Sequence, residues 1–255
     1  MRPKENNRRD FIKKASALGM LTLGLSEIVN AAYKPDKKNM ITLKKDDIIL
    51  FQGDSITDSY RDRAEKRFNM APALGTGYAF LSSSQVLFEH ADKNLKIYNR
   101  GISGHKTSHL INRWKEDCID LKPNILSILI GVNDFWVPQN GVRGTVQEYK
   151  ENYKALLDKT KNNLPDTRLI IGEPFGLSGI KGSKHEIWPD GFDEYQHVAF
   201  ELSKEFGAVF IPYQKIFNTA LSKAPNVYWT RDGVHPSIAG SRLMSEAWLS
   251  IIGNK

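Results

Sequence analysis

Five short runs of apolar, β-favouring residues recur along the chain, at 48–51, 95–98, 125–130, 168–171 and 208–211. Each is too short for a helix and nearly apolar on both faces, as in a strand buried between two layers. Stretches with helical periodicity fill the gaps, at 78–91, 106–117, 145–163, 193–206, 213–223 and 236–252. Strand and helix in alternation predict a doubly wound, five-stranded parallel sheet with helices on both faces. At 255 residues, 40% hydrophobic and 25% charged, the chain suits one α/β domain, or at most two small ones. Ligands of such sheets sit beyond the carboxyl ends of the strands. Chemistry should therefore be sought in the residues that follow the apolar runs.

The N-terminus reads as an address. NNRRDFIKK (6–14) is basic, ASALGMLTLGLSEIVNAA (15–32) is softly hydrophobic, and small residues gather near 29–32. That is the order of an export signal. The Arg8-Arg9 pair, with Phe11 and Lys13 behind it, resembles the twin-arginine type. The expectation is a signal over 1–31, cleaved after Ala31 or Ala32, and one domain over 32–255. An uncleaved, flexible arm is the other reading. The stretch is shorter than the roughly 20 apolar residues a span needs, and Glu27 interrupts it. No cysteine follows to carry a lipid. The expected location is periplasmic or secreted, in a bacterium.

Cys118 is the single cysteine, which excludes an intramolecular disulfide and a multi-cysteine metal site. The net charge is +7, and six basic and three acidic residues within 1–31 account for part of it. The remainder carries +4, too little to indicate nucleic acid.

Four stretches belong on one rim of the sheet. Gly53-Asp54-Ser55 follows the first strand, Asn99–Gly104 the second, and Gly131-Val132-Asn133-Asp134 the third; Asp232-Gly233-Val234-His235-Pro236 precedes the last helix. Acyl transfer needs these residue types. A serine hydroxyl is a poor nucleophile until a base takes its proton. His235 can be that base for Ser55. Asp232, three residues earlier, can reach the other ring nitrogen, hold one tautomer and stabilise the imidazolium. The oxyanion of a tetrahedral intermediate needs donors, and the N–H of Ser55, the N–H of Gly101 and the side-chain amide of Asn133 are candidates.

GDSIT (53–57), NRGISG (99–104), GVND (131–134) and DGVHP (232–236) together resemble the four ordered blocks of the GDSL/SGNH hydrolases. The resemblance covers nearly the whole chain beyond the N-terminal segment. It implies a flavodoxin-like three-layer α/β/α sandwich and hydrolysis of carboxylic esters without cofactor or metal. It also implies Ser55 as nucleophile, His235 as base, Asp232 as its orienting acid, and Gly101 and Asn133 completing the oxyanion hole. The first block carries isoleucine where the family name has leucine, a small apolar change.

Asp54 and Asp134 adjoin these residues and read as groups that bond the loops. Asp54 is also a candidate to touch substrate, as are Trp136 and Trp188, whose rings could stack on a sugar or roof the core; Trp229 belongs with them. His105 and His109 have metal-ligand spacing but no convincing third ligand. Arg61, Arg63, Lys66 and Arg67, in YRDRAEKRFN (60–69), form a solvated surface or attract an acidic substrate. The leading expectation is an exported serine esterase that removes short acyl groups, acetyl above all, from carbohydrate, its substrate a small-molecule or oligosaccharide ester. A lipase or lysophospholipase and a non-catalytic carbohydrate-binding protein are the alternatives. Without P-loop or G-x-G-x-x-G patterns, a nucleotide binder is disfavoured.

Overall fold

The computed structural model describes residues 24–136, 144–183 and 185–253. Its five strands are β1 (Ile48–Gly53), β2 (Lys96–Asn99), β3 (Ile125–Leu129), β4 (Arg168–Gly172) and β5 (Val209–Ile211). They form one sheet in the order β2-β1-β3-β4-β5, and every pair is parallel. This is the flavodoxin-like arrangement, with its topological switch between β1 and β3.

The helices are α1 (Leu25–Ala32), α2 (Ser55–Asp58), α3 (Ala71–Leu74), α4 (Tyr78–Glu89), α5 (Thr107–Asp117), α6 (Val132–Trp136), α7 (Val146–Asn163), α8 (Phe192–Glu205), α9 (Tyr213–Ala220), α10 (Asn226–Trp229) and α11 (Ile238–Leu249). Strand side chains alternate between two apolar clusters. Ile49, Phe51, Ile125 and Leu129 meet α1, α4, α9 and α11 on one face. Leu50, Leu126 and Ile128 meet α5, α7 and α8 on the other. Two buried indoles inside this sandwich are paired, as burial demands. Trp248 donates its indole N–H to Ser127 Oγ at 3.1 Å, and Trp114 to Thr160 Oγ1 at 2.9 Å. The long helices lie within three residues of the predicted spans. The four-residue helices α2, α3 and α10 carry no periodicity and were not foreseen.

The expected signal falls mostly outside the described residues, but its last part does not. Leu25–Ala32 is a helix packed between α9 and α11, with Ile28 and Val29 buried completely. Ser26 donates to Glu246 across this junction. The expected boundary after Ala31 thus falls inside a packed helix, and a cut there would strip two core residues. The softly hydrophobic pattern that suggested an export segment is, from residue 25 onward, also the apolar face of a core helix.

Candidate active site

β1 ends where Gly53 must pass between two neighbours. A Cβ there would lie 2.2 Å from the Leu129 carbonyl oxygen and 2.6 Å from Thr57 Oγ1, so only glycine fits. Asp54 then caps α2, accepting the Ile56 N–H at 3.0 Å. Ser55 is the first residue of that helix, half-buried, at the floor of a cavity of about 940 Å³. Its Oγ lies 2.8 Å from His235 Nε2. His235 Nδ1 lies 2.7 Å from Asp232 Oδ2.

The Asp232 carboxylate is built to stay ionised. Burial pushes it up, but bonds from the His235 ring and from the His235 and Val234 N–H groups outweigh that. It is held well below the ordinary carboxylate range. An ionised acceptor at Nδ1 fixes the proton on that nitrogen and leaves the Nε2 lone pair facing the serine hydroxyl. The loop is pinned from outside as well: Arg231 N–H donates to the His235 carbonyl, and Ser183 Oγ donates to the Asp232 carbonyl.

The expected oxyanion donors fare differently. The Ser55 N–H, at the start of α2, has no bonding partner among the described residues. Asn133 donates one amide hydrogen to the His105 carbonyl at 3.0 Å, which leaves its second. Gly101 needs correction. Its N–H is taken by Asn99 Oδ1 at 2.9 Å, and it is buried against the Thr57–Asp58 backbone, where a Cβ would lie 2.5 Å from Asp58 N. Its glycine serves close packing beneath α2. Gly104, three residues on, is exposed, has φ +81°, and sits in the turn closed by His105 N–H to the Ile102 carbonyl. No described residue accepts its N–H. Sequence alone could not choose between the two glycines of NRGISG.

Asp54 is also corrected as a substrate contact. It is 1% exposed, immediately precedes Ser55, and does not line the cavity. Burial pushes its carboxyl up to about 7, and Oδ2 has no partner among the described residues. Trp136 and Trp188 do not line the cavity either. Their rings meet at 5.3 Å, both lean on His185, and Trp188 stacks with Phe135 and covers Gly176. This aromatic cluster braces the loop of Gly233, whose position lies against the His185 Cβ. Trp229 is core, its indole donating to the Ala220 and Ala224 carbonyls.

Asp134 bonds loops together. It accepts the N–H and hydroxyl of Thr107, tying the segment after β2 to the segment after β3, and burial raises it to about 6. His105 Nδ1 accepts from Arg113, whose proximity adds to burial in pushing that ring down to about 4; His109 Nδ1 accepts from Lys106 N–H. Both Nδ1 atoms are thus occupied. The basic loop is mostly committed too: Arg61 is buried on the Gly101 carbonyl, and Arg67 pairs with Glu65. Asp58, unremarked in the sequence, takes Arg63 at 2.5 Å and both donors of Ser103, so it fixes the turn that carries Gly104.

The GDSL-like lipase/acylhydrolase family model matches residues 51–243, which spans all four blocks. The chain belongs to this family. It is 32% identical to an acetylxylan esterase from Geobacillus stearothermophilus over 210 residues, 80% of this chain and 93% of that one. The crystal structure of that esterase superposes with a TM-score of 0.74 at 29% identity, covering 84% of this chain and 98% of that one. A structure from Parabacteroides merdae, described as a GDSL-like lipase, gives 0.80 at 45% identity over 85% of this chain and all of that one. Among the described residues, no helix is long and apolar enough to cross a membrane.

Proposed function

We propose that this carboxylic ester hydrolase removes short acyl groups, principally acetyl, from carbohydrate, with Ser55 as nucleophile. The observation that carries the reading is the unbroken relay from Ser55 Oγ to His235 to Asp232, at 2.8 and 2.7 Å. His235 takes the hydroxyl proton as Oγ attacks the ester carbonyl. The tetrahedral oxyanion is met by the N–H of Ser55, the N–H of Gly104 and the free amide hydrogen of Asn133. His235 then returns the proton to the leaving sugar hydroxyl, and water repeats the sequence on the acyl-enzyme.

Several features support a sugar ester. The acetylxylan esterase relative matches over most of both chains. Structures of that enzyme include catalytic mutants in which a serine, an aspartate and a histidine three residues beyond the aspartate are each replaced by alanine. Asp232 and His235 have the same spacing. The cavity is wide, and charged side chains such as Arg63 and Arg231 stand along it, which suits a carbohydrate better than a long acyl chain. Export to the periplasm or beyond fits such a substrate and rests on the basic, twin-arginine-like N-terminus. Initial rates on p-nitrophenyl esters of rising acyl length, with Ser55→Ala as the blank, test the reading. A preference for acetate that vanishes in the blank is expected, and a preference for octanoate would turn it toward lipid.

A further inference from the structure

We propose that Arg231 and Tyr60 form a subsite for a sugar carboxylate beside the scissile ester, so that the preferred substrates are acetylated glycans bearing a uronic acid. This rests on the ester-hydrolase reading and specifies its substrate. Both side chains line the cavity that holds Ser55 and His235. Arg231 immediately precedes Asp232, and its N–H to the His235 carbonyl roots it in the loop that presents acid and base. A group bound there would sit at a fixed offset from the reacting carbonyl.

The charges that line the cavity show which cation is available. Asp58 is spent on Arg63 and Ser103, Asp232 on His235, and Asp62 accepts the Ala64 N–H. Arg61 is buried on the Gly101 carbonyl. Arg231 is exposed and has no acidic partner among the described residues; its Nη1 donates to the Tyr60 hydroxyl at 2.8 Å. A guanidinium has five donors in a planar fork that matches a carboxylate. One is used, and it orients the rest.

Tyr60 supplies the second half. It is 76% exposed, with its ring 5.7 Å from the Arg231 guanidinium carbon. It sits at φ +61°, directly after Ser59 at φ +41°. Two consecutive left-handed residues without glycine are strained, and such strain concentrates where side chains must be aimed. Here it turns a large aromatic face to the cavity mouth, where a sugar ring can stack. Beyond residue 31 the chain still carries a net charge of +4, which favours an acidic glycan over a neutral one only weakly and leaves the discrimination to Arg231.

Two arms test this. In Ser55→Ala protein, calorimetry compares a glucuronic-acid-bearing xylo-oligosaccharide with the neutral oligosaccharide of equal length. The acidic one should bind about tenfold tighter, and the ratio should fall toward one with Arg231→Gln and recover in part with Arg231→Lys. In enzyme with Ser55 intact, the ratio of kcat/KM for the acetylated acidic over the acetylated neutral oligosaccharide should fall with Arg231→Gln through KM. Equal binding of the two oligosaccharides, or a preference untouched by Arg231→Gln, overturns the subsite even if esterase activity is intact. Lack of Ser55-dependent hydrolysis overturns the ester-hydrolase reading instead, while the binding arm still decides whether Arg231 recognises the carboxylate.

Discussion

Asp54 gives the sharpest quantitative test of the site's electrostatics. Its carboxyl is raised from 3.8 to about 7 by burial, against the Ile56 N–H bond and the proximity of His235. Folding therefore favours the protonated form. The folded state holds this proton up to about pH 7, whereas the unfolded chain releases it near 3.8. Stability from this group is highest at low pH and declines as pH rises through the interval between the two values. With about 1.36 kcal/mol for each unit, the decline between pH 5 and pH 8 comes to about 2–3 kcal/mol. For a domain of this size that is about 5–10 °C in Tm. Asp54→Asn removes the titration and keeps an oxygen for the Ile56 N–H. Thermal melts of both proteins across that range should show a gap that widens with pH, the variant becoming the more stable. Asp134, raised to about 6, titrates in both proteins and largely cancels in the difference. A gap that is constant with pH would refute the assignment of a buried, proton-holding carboxyl next to Ser55.

Other expectations follow from named contacts. Asp232→Asn should keep the fold yet lose about 10³–10⁴ in kcat by releasing the imidazole tautomer, as measured on p-nitrophenyl acetate with circular dichroism as the folding control. Asn133→Ala should cost about 10²–10³ in kcat with little change in KM, as for loss of one oxyanion donor. Gly53→Ala should be severely destabilising in urea titrations, because its Cβ meets the Leu129 carbonyl and Thr57. Deleting residues through Ala31 should lower stability by about 3–6 kcal/mol, since Ile28 and Val29 each bury a full side chain, as urea titrations of the two proteins would measure.

The sheet was legible because burial on both faces leaves a plain mark: ILSIL can hardly be anything but a central strand. Ser55 stood out because it follows a strand end, and Asp232 and His235 because their three-residue spacing falls in one short loop before the last helix, where local sequence dictates local geometry. Gly101 was misread because its role depends on what lies against it, namely the α2 backbone and Asn99, which no local pattern reports. The same holds for Trp136 and Trp188: a loop tryptophan looks the same in sequence whether it roofs a core or faces a ligand. Arg231 and Tyr60 meet across 171 positions of chain, and the left-handed backbone that brings Tyr60 there falls on residues that do not advertise it.

The central claim is that Ser55 forms a covalent acyl intermediate, activated by His235. Intact-mass spectrometry and peptide mapping after exposure to an alkyl fluorophosphonate test it most directly, with esterase rates followed in parallel. The account predicts one adduct, on Ser55, formed in step with loss of activity and absent from His235→Ala and Ser55→Ala protein. An adduct on another residue, or full esterase activity in protein whose Ser55 is modified or replaced, would contradict it.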